Sequence, residues 1–271
     1  IGEQAFYATG LGSITLPDSD VAFGDYSFYK NEKLTTVKLG ANTQITQIDG
    51  SVFEETALNE FVVDPLNQSY ALSADGKLLE NKAGSAIIFA VTNVGEDYTI
   101  AAKYTFVGAS AFAGSNVVTL TITNKDLVLG EYAFSGAKKL TTVNLPAQEG
   151  FKISAHAFSG TSALTTVNNL DKVKEVGDYA FEQSGITNAV IADNASYGEG
   201  VFFRSKLAQA TIGKNATFGL GAFQSCLNLV TVNMPAEGGV HFGSSCFAYD
   251  TALANIDLTK TDEYIEDCTF M

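Results

Sequence analysis

LGEYAFSGAKKLTTVNL at 129–145 and ISAHAFSGTSALTTVNNL at 153–170 are two copies of one unit, and this unit decides the fold. Each copy starts with a six-residue signature that ends in Phe and carries a second hexamer six residues after that Phe. Self-similarity at a fixed period indicates a repeat architecture. The signature Phe recurs in eleven copies, at positions 6, 28, 53, 112, 134, 158, 181, 202, 223, 247 and 270.

The second hexamer is predicted to form a short strand. Apolar residues occupy its positions 1, 4 and 6, so the last three residues alternate inward, outward and inward. Its frequent Thr and Val favour β-structure. Ten copies begin at residues 11, 34, 58, 117, 140, 164, 186, 207, 229 and 253.

The Phe signature predicts a different local structure. In most copies a Gly lies four residues before the Phe and a small residue directly precedes it. A stretch this short fits a single helical or 3-10 turn that packs its Phe inward. Stacking the units buries the apolar side chains that a single unit would leave exposed to solvent. We therefore predict an α/β solenoid over 1–271, one domain of about 11 repeats of roughly 23 residues, with a parallel sheet and short helical or 3-10 turns.

One interval, between Phe53 and Phe112, is too long for a single repeat. Asp75-Gly76 lies between two extended runs and is typical of a tight hairpin turn. We predict that 64–105 is a hairpin-bearing insertion that decorates the edge of the solenoid within the same domain.

The G-x-x-A-F and L-x-x-V-x-L pattern resembles the BspA-like leucine-rich repeat family over nearly the whole chain. The insertion is similar too, with Asn67, Tyr70, Asp75, Gly76 and Leu78 in the family's spacing. The family's usual Pro is absent from AIIFAV at 86–91. The resemblance implies a leucine-rich-repeat fold in a secreted or surface-exposed bacterial protein, associated with adhesion to host proteins or other bacteria and without a shared catalytic centre.

The net charge and the hydropathy of the chain argue against some classes of partner. The net charge is −14 over 271 residues, so nucleic acid and anionic membranes would be repelled over most of the surface. No apolar run reaches the roughly 18 residues of a transmembrane helix. Neither a leader nor an initiator Met is visible, and the chain starts inside a repeat. We expect a mature or trimmed piece of an extracellular or cell-surface protein.

Groups that could carry chemistry are sparse. The two histidines, His156 and His241, occupy different repeat positions, and no phosphate-binding or zinc-binding spacing occurs. Acidic neighbours such as Glu54 and Glu55 are expected to be solvated loop residues. Cys226, Cys246 and Cys268 are interpreted as buried free thiols, with a disulfide as the alternative. We predict no enzyme activity, no metal and no cofactor.

A ligand would most simply use the exposed side of the predicted strands. Hexamer positions 3 and 5 point outward there and carry mostly small polar side chains; those predicted to bind are Thr36, Lys38, Glu60, Thr142, Asn144, Thr166, Asn168, Asn188, Gln209, Thr211, Thr231, Asn233 and Asp257. A merely hydrated sheet surface is the alternative. Tyrosines near the turns and in the insertion offer a second site, namely Tyr7, Tyr29, Tyr70, Tyr98 and Tyr249.

The expected function is binding of a protein or glycan, for example host extracellular matrix or another bacterium. A structural spacer that displays another domain is the alternative, and an enzyme is a third possibility. An enzyme would need a cleft that gathers a histidine with carboxylates.

Overall fold

Most of the predicted hexamers form strands, and these belong to the first of two strand sets. A computed structural model describes residues 1–261, 266–267 and 269–270 of the chain. Equivalent residues of successive coils lie side by side, as Leu120, Val143 and Val167 do. The strands of this first set are β1 (Ser13–Thr15), β3 (Thr36–Leu39), β5 (Glu60–Val63), β9 (Asp97–Ile100), β11 (Thr119–Ile122), β13 (Thr142–Asn144), β15 (Thr166–Asn168), β17 (Asn188–Val190), β19 (Gln209–Thr211) and β21 (Thr231–Asn233).

Two members of this set differ from the prediction. The hexamer at 253–258 forms no strand; Asp257 instead accepts a hydrogen bond from the Thr259 N–H and caps the 3-10 turn Leu258–Lys260. The other difference is β9, which comes from the long interval and pairs with β11.

A second set of strands lies before the Phe signatures and in the long interval, and of this set only the hairpin of the long interval was predicted from the sequence. Most of its members are two residues long, and outside residues 64–105 each strand ends on the first residue of the signature that it precedes. They are β2 (Asp20–Phe23), β4 (Gln44–Ile48), β6 (Tyr70–Leu72), β7 (Leu78–Asn81), β8 (Ala86–Ala90), β10 (Phe106–Val107), β12 (Val128–Leu129), β14 (Lys152–Ile153), β16 (Glu175–Val176), β18 (Ser196–Tyr197), β20 (Thr217–Phe218) and β22 (His241–Phe242).

The Phe signature itself is a series of tight turns and not a helix. In most of the described copies the residues two before and two after the Phe have positive φ, as Tyr132 and Gly136 have around Phe134. A left-handed residue every fourth position breaks right-handed helix geometry. Backbone N–H groups instead bond to the next coil, for example from Phe134 to Ala157 O at 2.9 Å.

The expected α/β class and the count of 11 repeats are therefore not confirmed. The described part of the chain is a parallel β-solenoid of about ten turns with almost no helix. Its helical content is two three-residue 3-10 segments, Leu170–Lys172 and Leu258–Lys260. The eleventh signature, at 265–270, includes positions that lie outside the described residues.

The Phe side chains form the core column that the spacing predicts. Phe134, Phe158 and Phe181 are fully buried, and their rings stack with centroids 5.6 Å apart. Such aromatic pairs add to the free energy gained by burial alone. The column fixes the coils in register and so places the strands of each set side by side.

Residues 64–105 belong to the core and do not merely decorate the edge. Strands β6, β7 and β8 are antiparallel, with a turn at Asp75-Gly76, and β8 then pairs in parallel with β10. Phe89 packs against Phe53 at 5.1 Å, and Tyr98 packs against Phe112 at 5.3 Å. This segment fills the place where the Phe column is interrupted.

The glycine of the signature is explained by the close approach of neighbouring coils. A Cβ added to Gly177 would lie 2.5 Å from the backbone N of Ala155 in the preceding coil. Ser154 occupies the same signature position, where its strand β14 is not paired with β12. The larger residue is thus found where the coils are not tied together by a ladder.

We expect Gly177→Ala to lower the free energy of unfolding by about 1–3 kcal/mol, because two ladder-bonded backbones must move apart. Gly2→Ala is the matched control at the same signature position, where an added Cβ meets nothing within 4 Å, and should stay within about 0.5 kcal/mol of wild type. Urea unfolding followed by far-UV circular dichroism checks both. Equal losses in the two variants would contradict close coil approach as the reason for the glycine.

Candidate functional site

Most of the predicted binding residues share one surface, which we call the ladder face. It is the exposed side of the first strand set, formed by hexamer positions 3 and 5. Strand pairing places Thr142 beside Thr166, Asn188 beside Gln209, and Thr36 beside Glu60. Exposed or half-buried members of this surface are Thr36, Lys38, Glu60, Thr142, Asn144, Thr166, Asn168, Asn188, Gln209, Thr211, Thr231 and Asn233. Asp257 is exposed but lies outside the strands.

Side chains on the ladder face are joined by hydrogen bonds across the strands. Asn168 Nδ2 donates to Asn144 Oδ1 at 2.8 Å, and Asn144 Nδ2 donates to Thr121 Oγ1 at 3.1 Å. Thr36 Oγ1 donates to Glu60 Oε2 at 3.1 Å. Cross-strand contacts of this kind hold the side chains in place before any ligand arrives.

The ladder face is interrupted between β15 and β17. These two strands, both fully described, are not paired, although the sequence copies LTTVNN and ITNAVI predict that they are neighbours. A groove of about 650 Å³ lies there. It is lined by Thr165, Thr166, Val167, Asn168, Asn169, Leu170, Asp171, Thr187, Asn188 and Val190.

A 3-10 turn lies at this groove. Asn169 has φ +64° and the Leu170–Lys172 turn follows it directly. Leu170 is buried, whereas Asp171 forms an ion pair with Lys172 at 2.7 Å. Asn169 Nδ2 donates to Leu145 O at 2.8 Å, which fastens the turn to the preceding coil.

The sequence prediction missed several residues of the ladder face. Val62 and Val190 occupy hexamer position 5 and are 40% and 51% exposed, so the surface is not purely polar. Asp97 and Thr99 lie on it through β9, beside Thr119 and Thr121. The hexamer spacing alone could have identified the valines, whereas β9 has no clear copy of the hexamer.

The tyrosine alternative is supported only in part. Tyr7 and Tyr249 are 41% and 53% exposed, but Tyr70 is buried and its hydroxyl accepts a hydrogen bond from the Ile45 N–H at 2.8 Å. Tyr98 is half-buried against Phe112. The insertion tyrosines are therefore part of the packing.

His156 lies in a stack of rings between Tyr132 and Tyr179, with centroids 4.4 and 5.2 Å away. Burial lowers the pKa of His156, against the opposing effect of Glu182. The Nδ1 of His156 is 3.9 Å from Glu182 Oε2, and Ser159 Oγ donates to that same oxygen at 3.2 Å. In a serine triad the hydroxyl would donate to the imidazole.

His241 has a similar arrangement. Its Nε2 is 3.3 Å from Glu266 Oε1, while Ser244 Oγ donates to Glu266 Oε2 at 2.8 Å. Here too the serine hydroxyl donates to the carboxylate.

Three other candidate groups, Cys226, Cys246 and Glu54, are buried. Cys226 and Cys246 are free and buried, as predicted, and burial raises the pKa of both thiols. Cys268 lies outside the described residues. Glu54 is buried and not solvated as expected; Ser135 Oγ donates to it across the coils. The described residues contain no group of three His, Cys, Asp or Glu placed to hold a metal ion.

No helix in the described part of the chain is long and apolar enough to cross a bilayer.

Comparison with solved structures supports the fold. A leucine-rich repeat protein from Eubacterium ventriosum aligns with TM-score 0.66 and 19% identity, over 95% of this chain and 69% of that one. The pneumococcal vaccine antigen PcpA aligns with a TM-score of 0.56 and 19% identity, over 87% of this chain and 71% of that one. The leucine-rich repeat protein of Treponema pallidum aligns with a TM-score of 0.55 and 23% identity, over 73% of this chain and 92% of that one. No curated protein matches the chain.

The family model for the BspA type leucine-rich repeat region matches in six copies, over residues 1–72, 87–208, 129–254 and 197–271. Only 73–86, which holds the hairpin turn at Asp75-Gly76, lies outside these matches. The match includes both the Phe signatures and the strands of the ladder face. The chain therefore belongs to the BspA type leucine-rich repeat family.

Proposed function

We propose that this chain is a noncatalytic interaction module, displayed at the bacterial surface or secreted, that binds a protein or glycan through its ladder face. Host extracellular matrix and the surface of another bacterium are the proposed sources of the ligand. The observation that supports this proposal is the row of exposed polar side chains that runs across successive coils. A groove between β15 and β17 interrupts that row.

Family membership supports the proposed location, as does the likeness in fold to a pneumococcal vaccine antigen. Repeat solenoids typically bind through an extended surface because each coil adds an equivalent strip of side chains. The arrangement of His156 and His241 favours binding over catalysis, since each faces a carboxylate that is already bonded to a serine hydroxyl.

The test is binding of the purified chain to immobilised collagen, fibronectin, fibrinogen and laminin, to a glycan array, and to whole bacteria. A variant with Thr142→Arg, Thr166→Arg and Gln209→Arg adds three bulky cations to the ladder face. We expect it to lose at least about tenfold in affinity for whichever probe binds wild type, a change of about 1.4 kcal/mol.

The matched control carries Val128→Arg, Ser196→Arg and Thr217→Arg on exposed positions of the second strand set. It has the same charge change and should bind like wild type. If no probe binds wild type, or if both variants bind equally, a ladder-face interaction module is excluded and the spacer alternative is favoured.

A further inference from the structure

We propose that the groove between β15 and β17 accepts an extended polypeptide segment of the ligand, which adds to the sheet through its backbone. This inference rests on the proposed function, because it names the chemistry that the ladder face recognises. It is carried by the backbone groups that the two unpaired strands present to the groove.

The first wall of the groove is β15. In a parallel sheet, the N–H and C=O of one residue point to the same side of its strand, and those of the next residue point to the opposite side. Alternate residues therefore bond to the two different neighbouring strands. Thr166 N–H donates to Thr141 O at 3.2 Å and Asn168 O accepts from Leu145 N–H at 3.2 Å, so both residues face β13. Val167, between them, presents its N–H and C=O to the groove.

The second wall is β17. Thr187 O accepts from Gln209 N–H at 3.1 Å, and Ile191 N–H donates to Thr211 O at 2.9 Å, so these odd-numbered residues face β19. Asn188 and Val190 therefore present their N–H and C=O groups to the groove. Two strand edges that face each other form a template for a third strand.

The side chains around the groove suit a polypeptide without net negative charge. Asp171 is the one charged residue among those that line it, in a chain whose net charge is −14. Thr166, Asn168 and Asn188 offer hydrogen bonds to a passing segment, and Val190 offers an apolar contact. At about 3.3 Å per residue, a segment of three or four residues would span walls of this length.

The probe is the capped peptide acetyl-Lys-Thr-Val-Thr-Val-Lys-amide, titrated into the full chain and followed by amide chemical shifts. We expect shifts and slower hydrogen exchange at the amides of Val167, Asn188 and Val190. The same peptide with N-methyl groups on alternate amides cannot form the ladder and should bind at least about tenfold more weakly.

Two variants locate the binding. Asn188→Trp fills the groove and should weaken peptide binding at least about tenfold, whereas Thr217→Trp is at an exposed position of the second strand set, away from the groove, and should leave it unchanged. The inference is overturned if the peptide causes no shifts at about 5 mM, if the N-methylated peptide binds equally, or if both tryptophans act alike.

A glycan would give a different result. Shifts at the same amides with chitotriose but not with the peptide would exclude a polypeptide occupant while leaving the ladder face as the binding surface. Failure of the Arg-substituted ladder-face variant to alter binding to the probe panel would instead overturn the proposed function itself.

Discussion

Replacing Phe158 with Ala is expected to lower the free energy of unfolding by about 3–5 kcal/mol. Phe158 is fully buried, and its ring lies between those of Phe134 and Phe181, both 5.6 Å away. Truncation removes apolar burial and two stacking contacts, and it leaves a cavity that ladder-bonded coils cannot collapse to fill. Urea unfolding followed by circular dichroism measures the loss.

Phe106→Ala is the control for this prediction. Phe106 is 39% exposed on the second strand set, so the same truncation should cost less than about 1.5 kcal/mol. A loss at Phe158 no larger than the loss at Phe106 would contradict the Phe column as the organising element of the core.

The second large effect concerns Asp250. It occupies the place three residues after the signature Phe, where most other coils carry a side chain that can donate a hydrogen bond. Asn31 Nδ2 donates to Phe28 O at 2.8 Å, and Thr161 Oγ1 donates to Phe158 O at 2.6 Å. A carboxylate cannot donate in this way.

Burial raises the pKa of Asp250 to about 8, although the Cys226 N–H donates to its Oδ1 at 2.7 Å. The Oδ2 atom is buried without a hydrogen-bond partner among the described groups. Between pH 4 and pH 8 the folded chain therefore holds a proton that the unfolded chain has released. The stability from this group is full below about pH 4 and is lost as pH rises towards 8.

We expect the unfolding temperature of wild type to fall by at least about 5 °C between pH 5 and pH 8.5, since each tenfold change in proton affinity corresponds to about 1.4 kcal/mol. Asp250→Asn keeps the acceptor and adds a permanent donor. The unfolding temperature of this variant should not fall in that way between pH 5 and pH 8.5, and the variant should be more stable than wild type at pH 8.5. The neighbouring titratable groups, Cys226 and Cys246, stay protonated over this range because burial raises the pKa of each. Parallel curves for the two proteins would contradict the assignment.

The repeat made much of the fold predictable. The Phe column and nine of the ten hexamer strands follow directly from spacing, because a core position in a stack must recur once per coil. Apart from the hairpin strands β6 and β7, the second strand set was not predicted, since two residues such as Glu175–Val176 carry too little alternation to be recognised. The left-handed turns were missed because Tyr132, His156 and Tyr179 are not residues that usually mark positive φ.

The sequence predicted which face of the sheet carries the candidate site, but it did not predict the groove within that face. Spacing identifies the outward positions, but the interval between the hexamers at 164 and 186 is ordinary and gives no sign that β15 and β17 separate. The turn at Leu170–Lys172 and the left-handed Asn169 lie there, and neither has a sequence signature specific enough to predict it.

We propose that the ladder face is the surface on which the ligand binds. Amide hydrogen exchange with mass spectrometry, on the chain with and without the strongest-binding member of the probe panel, tests it most directly. With ligand bound, we expect slower exchange in peptides that cover the first strand set, above all β15 and β17. Protection confined to the turns around Tyr132, His156 and Tyr179, with the first strand set unchanged, would contradict it.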